Sequence, residues 1–248
     1  MSWNEIPGAR AAVQRLRENG HRVRFITNNT TRARRDLVRE LGRIGIELEE
    51  AELQTTAVVA ARSLAGKRVL ALTMPRIIDD LRGIELVGDN AEAVLVGGAD
   101  ETAATNQVFS YMNLARAFAE LDAGAELYCL HRNRWWQTAR GPMLDAGAFV
   151  AGLEYAAETE ATLLGKPSTA YFEAALEALD ADPELAWMIG DDLESDIAGA
   201  QAFGIRTVLV RTGKFRQDDL DGSATVPDAV IDSIADLSAW LEEHEDRY

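Results

Sequence analysis

Trp187-Met188-Ile189-Gly190-Asp191-Asp192-Leu193-Glu194-Ser195-Asp196 decides how the rest of the chain is read. An apolar run of strand type stops at a glycine, acidic side chains crowd the next turn, and Ile197, Ala200 and Phe203 then recur at a helical period. Carboxylates gathered at a strand end repel one another, so a positive partner is expected among them. A hard divalent cation such as Mg2+ suits the place, because it takes oxygens from one or two carboxylates together with phosphate and water. The same residues have a plainer reading. Asp192 and Ser195 can cap the helix, and Asp196 can sit in its first turn, where the helix dipole favours negative charge. Spacing alone leaves both open.

Outward from this stretch, strands and helices alternate. Val23, Phe25 and Ile26 read as a strand that stops at Thr27-Asn28-Asn29-Thr30, and further apolar strands are expected at 69–72, 93–96, 127–130, 162–164, 186–189 and 207–210. Helical spacing falls between them, at 77–81, 107–121, 148–157 and 169–179, with Ser168 as an N-cap. That order predicts an α/β fold with a parallel sheet covered by helices. In such a sheet, ligands bind outside the carboxyl ends of the strands, so polar residues at those ends should converge however far apart they lie in sequence. Three ends qualify. Thr27 offers a hydroxyl, and positions 28–31 offer the backbone N–H groups of a helix start, which is an anion site. Lys166, in Gly165-Lys166-Pro167-Ser168, brings an ammonium, and the acidic loop can hold the metal. These are the parts of phosphoryl transfer, where catalysis is mostly positioning and charge neutralisation. Each part also has a structural reading: a capping turn at 27–30 and a solvated loop lysine at Lys166. In the unusual stretch His131-Arg132-Asn133-Arg134-Trp135-Trp136, the two tryptophans read as packing or as a substrate platform, and His131 as a satisfied surface histidine.

Composition narrows the partners. Among 248 residues, 41 Asp and Glu face 25 Lys and Arg, a formal net charge of -16, which repels a phosphate backbone and argues against nucleic acid. Cys129 is the single cysteine, so no internal disulfide forms, and a cytoplasmic location is expected. The absence of an apolar leader or of a long uninterrupted apolar run argues against a membrane.

Thr27-Asn28-Asn29 after a strand, Gly165-Lys166-Pro167, and Gly190-Asp191-Asp192 through Asp196 together resemble the haloacid dehalogenase-like hydrolase superfamily, in its subfamily with a large cap inserted mid-chain. The resemblance covers nearly the whole chain. It implies a Rossmann-like core at 1–66 and 162–248 and an α/β cap domain at 67–161. It also implies a Mg2+-dependent phosphatase that acts on a small phosphorylated molecule through an aspartyl-phosphate, with dimers common. By the same resemblance, Thr27 and Asn28 hold the transferring phosphoryl group and Lys166 neutralises its charge. Asp191 ligates the metal, Asp196 and Asp192 support the loop, and Arg132, Arg134, Trp135 and Trp136 of the cap select substrate. The chain departs from the pattern at one point. The family's nucleophile lies in an Asp-x-Asp motif ending the first core strand, ahead of the first helix, yet no Asp occurs before Asp36 and no apolar run for that strand precedes Pro7. The expectation is a start placed short of the real one, with residues 1–248 inactive by themselves. The competing expectation is a catalytically inactive pseudophosphatase that serves as a binding or interaction protein. A phosphoacceptor receiver domain shares the Asp, Thr and Lys inventory but needs them in another order. Phosphate monoesters, phosphoamides and pyrophosphate all remain open as substrates.

Overall fold

A computed structural model of the chain describes residues 5–138 and 140–244. The first stretch runs α1 (Ala9–Glu18), β1 (Phe25–Thr27), α2 (Arg34–Arg43), β2 (Leu53–Thr55), α3 (Thr56–Ser63), β3 (Arg68–Leu72), β4 (Glu85–Leu86) and β5 (Ala93–Val96). The middle holds α4 (Ala103–Val108), α5 (Tyr111–Asp122), β6 (Glu126–Cys129), β7 (Trp135–Thr138), β8 (Gly141–Leu144), α6 (Ala146–Ala157) and β9 (Thr162–Leu163). The last part holds α7 (Thr169–Leu179), β10 (Trp187–Gly190), α8 (Gly199–Ala202), β11 (Arg206–Val210), α9 (Gln217–Asp221), β12 (Ala229–Ile231) and α10 (Leu237–His244).

The chain divides into two compact units. One comprises Ile26–Leu37 with Leu53–Gly165, and the other comprises 5–25, Val38–Glu52 and 166–244. This division differs from the one expected in that 26–37, 53–66 and 162–165 group with the middle segment. Packing supplies the reason for α3: its Ala57, Ala60 and the following Leu64 share one buried cluster with Val69, Leu95 and Leu130.

The first unit is built on a five-stranded sheet in the order β4-β3-β5-β6-β9, every pair parallel. Side chains alternate across it with the period of two that a strand imposes. Leu70, Leu72, Val94 and Val96 face Ala117 and Leu121 of α5 and Val150 and Leu153 of α6. Val69, Ala93 and Leu95 face the α3 cluster on the other side. A parallel sheet covered on both faces needs apolar residues at every position, and β5 is buried throughout. Phe109 and Phe149 stack with ring centroids 4.1 Å apart on the α5–α6 side.

The second unit holds the parallel sheet β10-β11-β12. Its core joins Val208, Val210 and Ile231 to Leu16 of α1 and Leu237 of α10, with Trp187 meeting Trp240 edge-on at 5.2 Å. Among the described residues, β10 borders only β11, and β1 borders only β2.

Three local expectations change. The segment expected as a helix at 77–81 is a 3-10 turn, Pro75–Asp80, which its proline starts and which is too short to become an α-helix. The single helix expected at 107–121 is two, because the Ser110 hydroxyl accepts from the Asn113 N–H and begins a new helix. The Trp135–Trp136 stretch is one strand of an antiparallel hairpin, with Trp135 opposite Leu144 and Trp136 opposite Met143.

Candidate active site

In the second unit, β10 delivers the acidic stretch and the following turn arranges it. Asp192 accepts the Ser195 N–H at 2.9 Å and so caps the turn, as the plainer reading expected. The turn is a single π-helical turn, Leu193–Ala198, in which the Asp192 carbonyl accepts from both the Asp196 and Ile197 N–H groups. Such π-turns recur at functional sites because they re-aim side chains. Here the turn carries Asp196 inward, to 4% exposure, where its Oδ1 takes the Lys166 ammonium at 2.5 Å. Both side chains are nearly buried, at 9% for Lys166 and 6% for Asp196. Asp196 Oδ2 accepts the Asp192 N–H at 3.3 Å. Lys166 is therefore no solvated loop lysine.

Sequence reading did not single out Lys214 as a site residue, yet it is central. Its backbone N–H donates to Asp191 Oδ2 at 2.7 Å, and its ammonium meets Asp192 Oδ2 at 2.7 Å. Burial by itself would push the Asp192 carboxyl up, but hydrogen bonds from the Lys214 ammonium and the Ser195 N–H outweigh it and hold the group below the ordinary carboxylate range. Burial likewise pulls on Lys214, and its bond to Asp192 raises it above the ordinary lysine value. The approach depends on Gly213, with φ at +62°: a Cβ there would lie 1.8 Å from Asp191 Oδ2. The signal in the sequence was the rarity of lysine combined with a preceding glycine, but nothing in the spacing ties position 214 to position 191.

A cleft of about 540 Å3 opens beside these groups, lined by Asp191, Asp192, Glu194, Lys214 and Asp219 among others. Its oxygen donors are of the type that hard cations take. Among the described residues, however, no group of three or more His, Cys, Asp or Glu side chains is arranged to hold a metal ion. Asp196 is committed to Lys166 and Asp192 to Lys214, while Asp191 keeps Oδ1 without a hydrogen bond among the described residues. This donor set suits Mg2+, which keeps several waters and binds through one or two carboxylates, and does not suit a cage of three.

In the first unit, the loop after β1 is not the open row of N–H groups that the sequence suggested. Thr27 Oγ1 accepts the Asn29 N–H at 3.1 Å, and Asn29 Oδ1 accepts those of Thr31 at 3.2 Å and Arg32 at 3.0 Å. Short polar side chains at a turn compete for backbone donors in this way. His131, expected at the surface, is 3% exposed, because Thr30 and Asp145 bury with it and supply polar partners. Arg132 is engaged by Glu154 in a two-pronged pair at 2.7 and 2.8 Å. Arg134 and Trp135 are exposed, and Trp136 is half-buried.

Comparison with known proteins gives two family-model matches: "Haloacid dehalogenase-like hydrolase" over residues 2–87 and "HAD-hydrolase-like" over residues 163–237. Haloacid dehalogenase-like hydrolase domain-containing protein 2 of Bos taurus is 38% identical, across 96% of this chain and 90% of that protein. Phospholysine phosphohistidine inorganic pyrophosphate phosphatase of Rattus norvegicus is 35% identical, across 98% of this chain and 88% of that protein. The p-nitrophenyl phosphatase of Archaeoglobus fulgidus superposes with a TM-score of 0.88 at 28% identity, covering 96% and 94% of the two chains. The glycerol phosphate phosphatase of Mycobacterium tuberculosis, solved in complex with magnesium, has a TM-score of 0.83 at 25% identity, covering 95% and 72%. The chain belongs to the haloacid dehalogenase-like hydrolase family.

Proposed function

We propose that the protein is a Mg2+-dependent phosphatase that transfers the phosphoryl group of a small phosphorylated molecule to an aspartate and then to water. The observation that carries this reading is the buried Lys166–Asp196 pair at the carboxyl end of β10, beside Asp191 with an uncommitted oxygen. An ammonium held this deep has a stated task when an anionic phosphoryl group is its second partner. Asp191 would hold Mg2+, which when bound supplies charge neutralisation at the phosphate oxygens. Lys166 presents its ammonium to the phosphoryl oxygens, Asp196 orients it, and Lys214 orients Asp191. Thr27 and Asn28 bind phosphoryl oxygens. Residues 67–161 serve as the cap that selects substrate, with Arg134, Trp135 and Trp136 facing the choice and Arg132 tied to Glu154.

The substrate class follows from the chemistry and from the relatives. Phosphoamides and pyrophosphate enter because a relative is named for them, and p-nitrophenyl phosphate because a solved relative is named for it. The nucleophile that the family pattern places ahead of the first helix is not among residues 1–35, which contain no Asp. Residues 1–248 alone are therefore expected to hydrolyse p-nitrophenyl phosphate negligibly with or without Mg2+. Fusion of a strand ending in Asp-x-Asp ahead of α1 is expected to bring Mg2+-dependent turnover. Robust turnover by residues 1–248 would overthrow the nucleophile assignment, and a fused protein that stays inactive and binds no phosphate would overthrow the phosphatase reading.

A further inference from the structure

The carboxyl end of β6 carries a buried polar group that the proposed chemistry does not use. His131 Nδ1 accepts the Asn133 backbone N–H at 3.2 Å. An amide nitrogen can only donate, so Nδ1 carries the lone pair and the ring proton sits on Nε2. Nε2 lies 3.1 Å from Thr30 Oγ1 and 3.5 Å from Asp145 Oδ1. Asp145 is itself fixed, since its Oδ1 accepts the Ala146 N–H at 2.8 Å as the N-cap of α6 and the Ala99 N–H at 3.4 Å. Thr30, His131 and Asp145 are 4%, 3% and 6% exposed. Gly98 closes the group, because a Cβ there would lie 1.9 Å from Thr30 Oγ1 and 3.1 Å from His131 Nε2.

Burying an imidazole, a hydroxyl and a carboxylate together is unfavourable unless they are mutually hydrogen-bonded, and an apolar side chain would fill the same space without that penalty. What the three polar groups achieve is to fix one point, Thr30, in the loop that follows Thr27 and Asn28. The residues on either side of Thr30 are tied by the loop's own side chains, Thr27 taking the Asn29 N–H and Asn29 taking those of Thr31 and Arg32.

We propose that His131 is a positioning residue: by donating from Nε2 to Thr30, it anchors the loop that sets Thr27 and Asn28 for phosphate. The phosphate half of this statement rests on the functional reading above, and the anchoring half does not. The test uses residues 1–248 with three variants. Thr30→Val keeps the shape and loses the hydroxyl, Thr30→Ser keeps the hydroxyl, and His131→Leu removes the donor. Amide hydrogen exchange is followed at Asn29, Thr31 and Arg32, with Val94 and Leu95 of β5 as a reference, and inorganic phosphate affinity is measured by calorimetry.

Thr30→Val and His131→Leu are expected to speed exchange at the three loop amides and weaken phosphate about tenfold, the scale of one lost buried hydrogen bond, with β5 unchanged. Thr30→Ser is expected to behave as the parent. Loop exchange that does not change in Thr30→Val, or that rises only in step with Val94 and Leu95, overturns the anchoring role. Loosened exchange with unaltered phosphate affinity overturns the positioning role. A parent chain that binds no phosphate overturns the positioning role as well, the functional reading being decided separately by the fused protein above, and anchoring is then decided by exchange alone.

Discussion

Lys166 and Asp196 show how a single residue pair can be both a functional and a folding element. The desolvation cost of two charges at this depth is met only while each faces the other, so removing one partner is far worse than removing both. Asp196→Asn keeps the shape but deprives the buried ammonium of its Asp196 carboxylate, and it is expected to lower stability by about 3–5 kcal/mol. Lys166→Met combined with Asp196→Asn should recover much of that loss, because the buried charge has gone. Urea denaturation of the two single variants and the double variant, read as a cycle, measures the coupling. Purely additive losses would show that the two side chains do not depend on each other. Cys129 gives the contrasting case of a reactive group made inert: burial pushes its thiol up to about 12, so it lacks the thiolate that nucleophilic chemistry would need.

At the scale of elements, α6 is tied down at both ends by charges that the hydrophobic pattern does not reveal. Asp145 caps its start, and Glu154, near its end, receives Arg132 and the Ala161 N–H at 2.8 Å. Burial would raise the Glu154 carboxyl, but the Arg132 and Ala161 hydrogen bonds prevail and hold it below the ordinary glutamate value. A carboxyl depressed on folding contributes stability that is present above its unfolded pKa of about 4.3 and is lost as pH falls through the folded value. Glu154→Gln retains an acceptor for Ala161 and loses the charge. The Arg132 side chain is 47% exposed, and after discounting for solvent the variant is expected to be about 0.5–1 kcal/mol less stable at neutral pH. The difference should shrink as the pH falls from 7 towards 3, and urea melts at the two pH values would check it; a gap of the same size at both would assign the loss to packing.

The same elements show what could be read in advance. Strands β5, β6, β10 and β11 emerged within a residue or so of where apolar runs stood, and β5, buried throughout, shows the reason most plainly: a strand covered on both faces writes itself as an unbroken apolar segment. The β7–β8 hairpin did not, since its exposed Trp135 and Leu144 break the apolar-in, polar-out alternation that signals a half-buried strand. Among the site residues, the acidic loop and Lys166 were legible as local motifs. The partners they chose were not. Lys166 reaches Asp196 across 30 positions, Asp191 takes the Lys214 N–H across 23, and Thr30 meets His131 across 101. Such pairings are set by which strand ends lie side by side, and no local period encodes them. Ser168 marks the limit from the other side: it stands at the N-cap of α7 as its residue type predicts, yet its hydroxyl makes no cap bond.

For the molecule as a whole, the net charge of -16 on 248 residues sets the response to ions. Self-repulsion among exposed carboxylates destabilises the compact state, and salt shortens its range from about 30 Å at 0.01 M to about 10 Å at 0.1 M. NaCl should therefore raise the melting temperature, by roughly 2–4 °C for each kcal/mol of repulsion screened in a chain of this size. MgCl2 at the same ionic strength screens at least as well, and by the proposed function it also binds at Asp191. A ligand bound only by the folded state at about a hundred times its dissociation constant adds about 2.7 kcal/mol, which should appear as several further degrees. Divalent ions also condense more strongly than sodium on any acidic surface, so the excess alone does not locate the site. Asp191→Asn separates the two effects. It removes one charge of many, so the NaCl response should stay nearly intact while the MgCl2 excess disappears. Equal melting temperatures in the two salts for the parent chain, or an excess that survives Asp191→Asn, would mean that the ions act on the acidic surface at large and that Asp191 holds no metal.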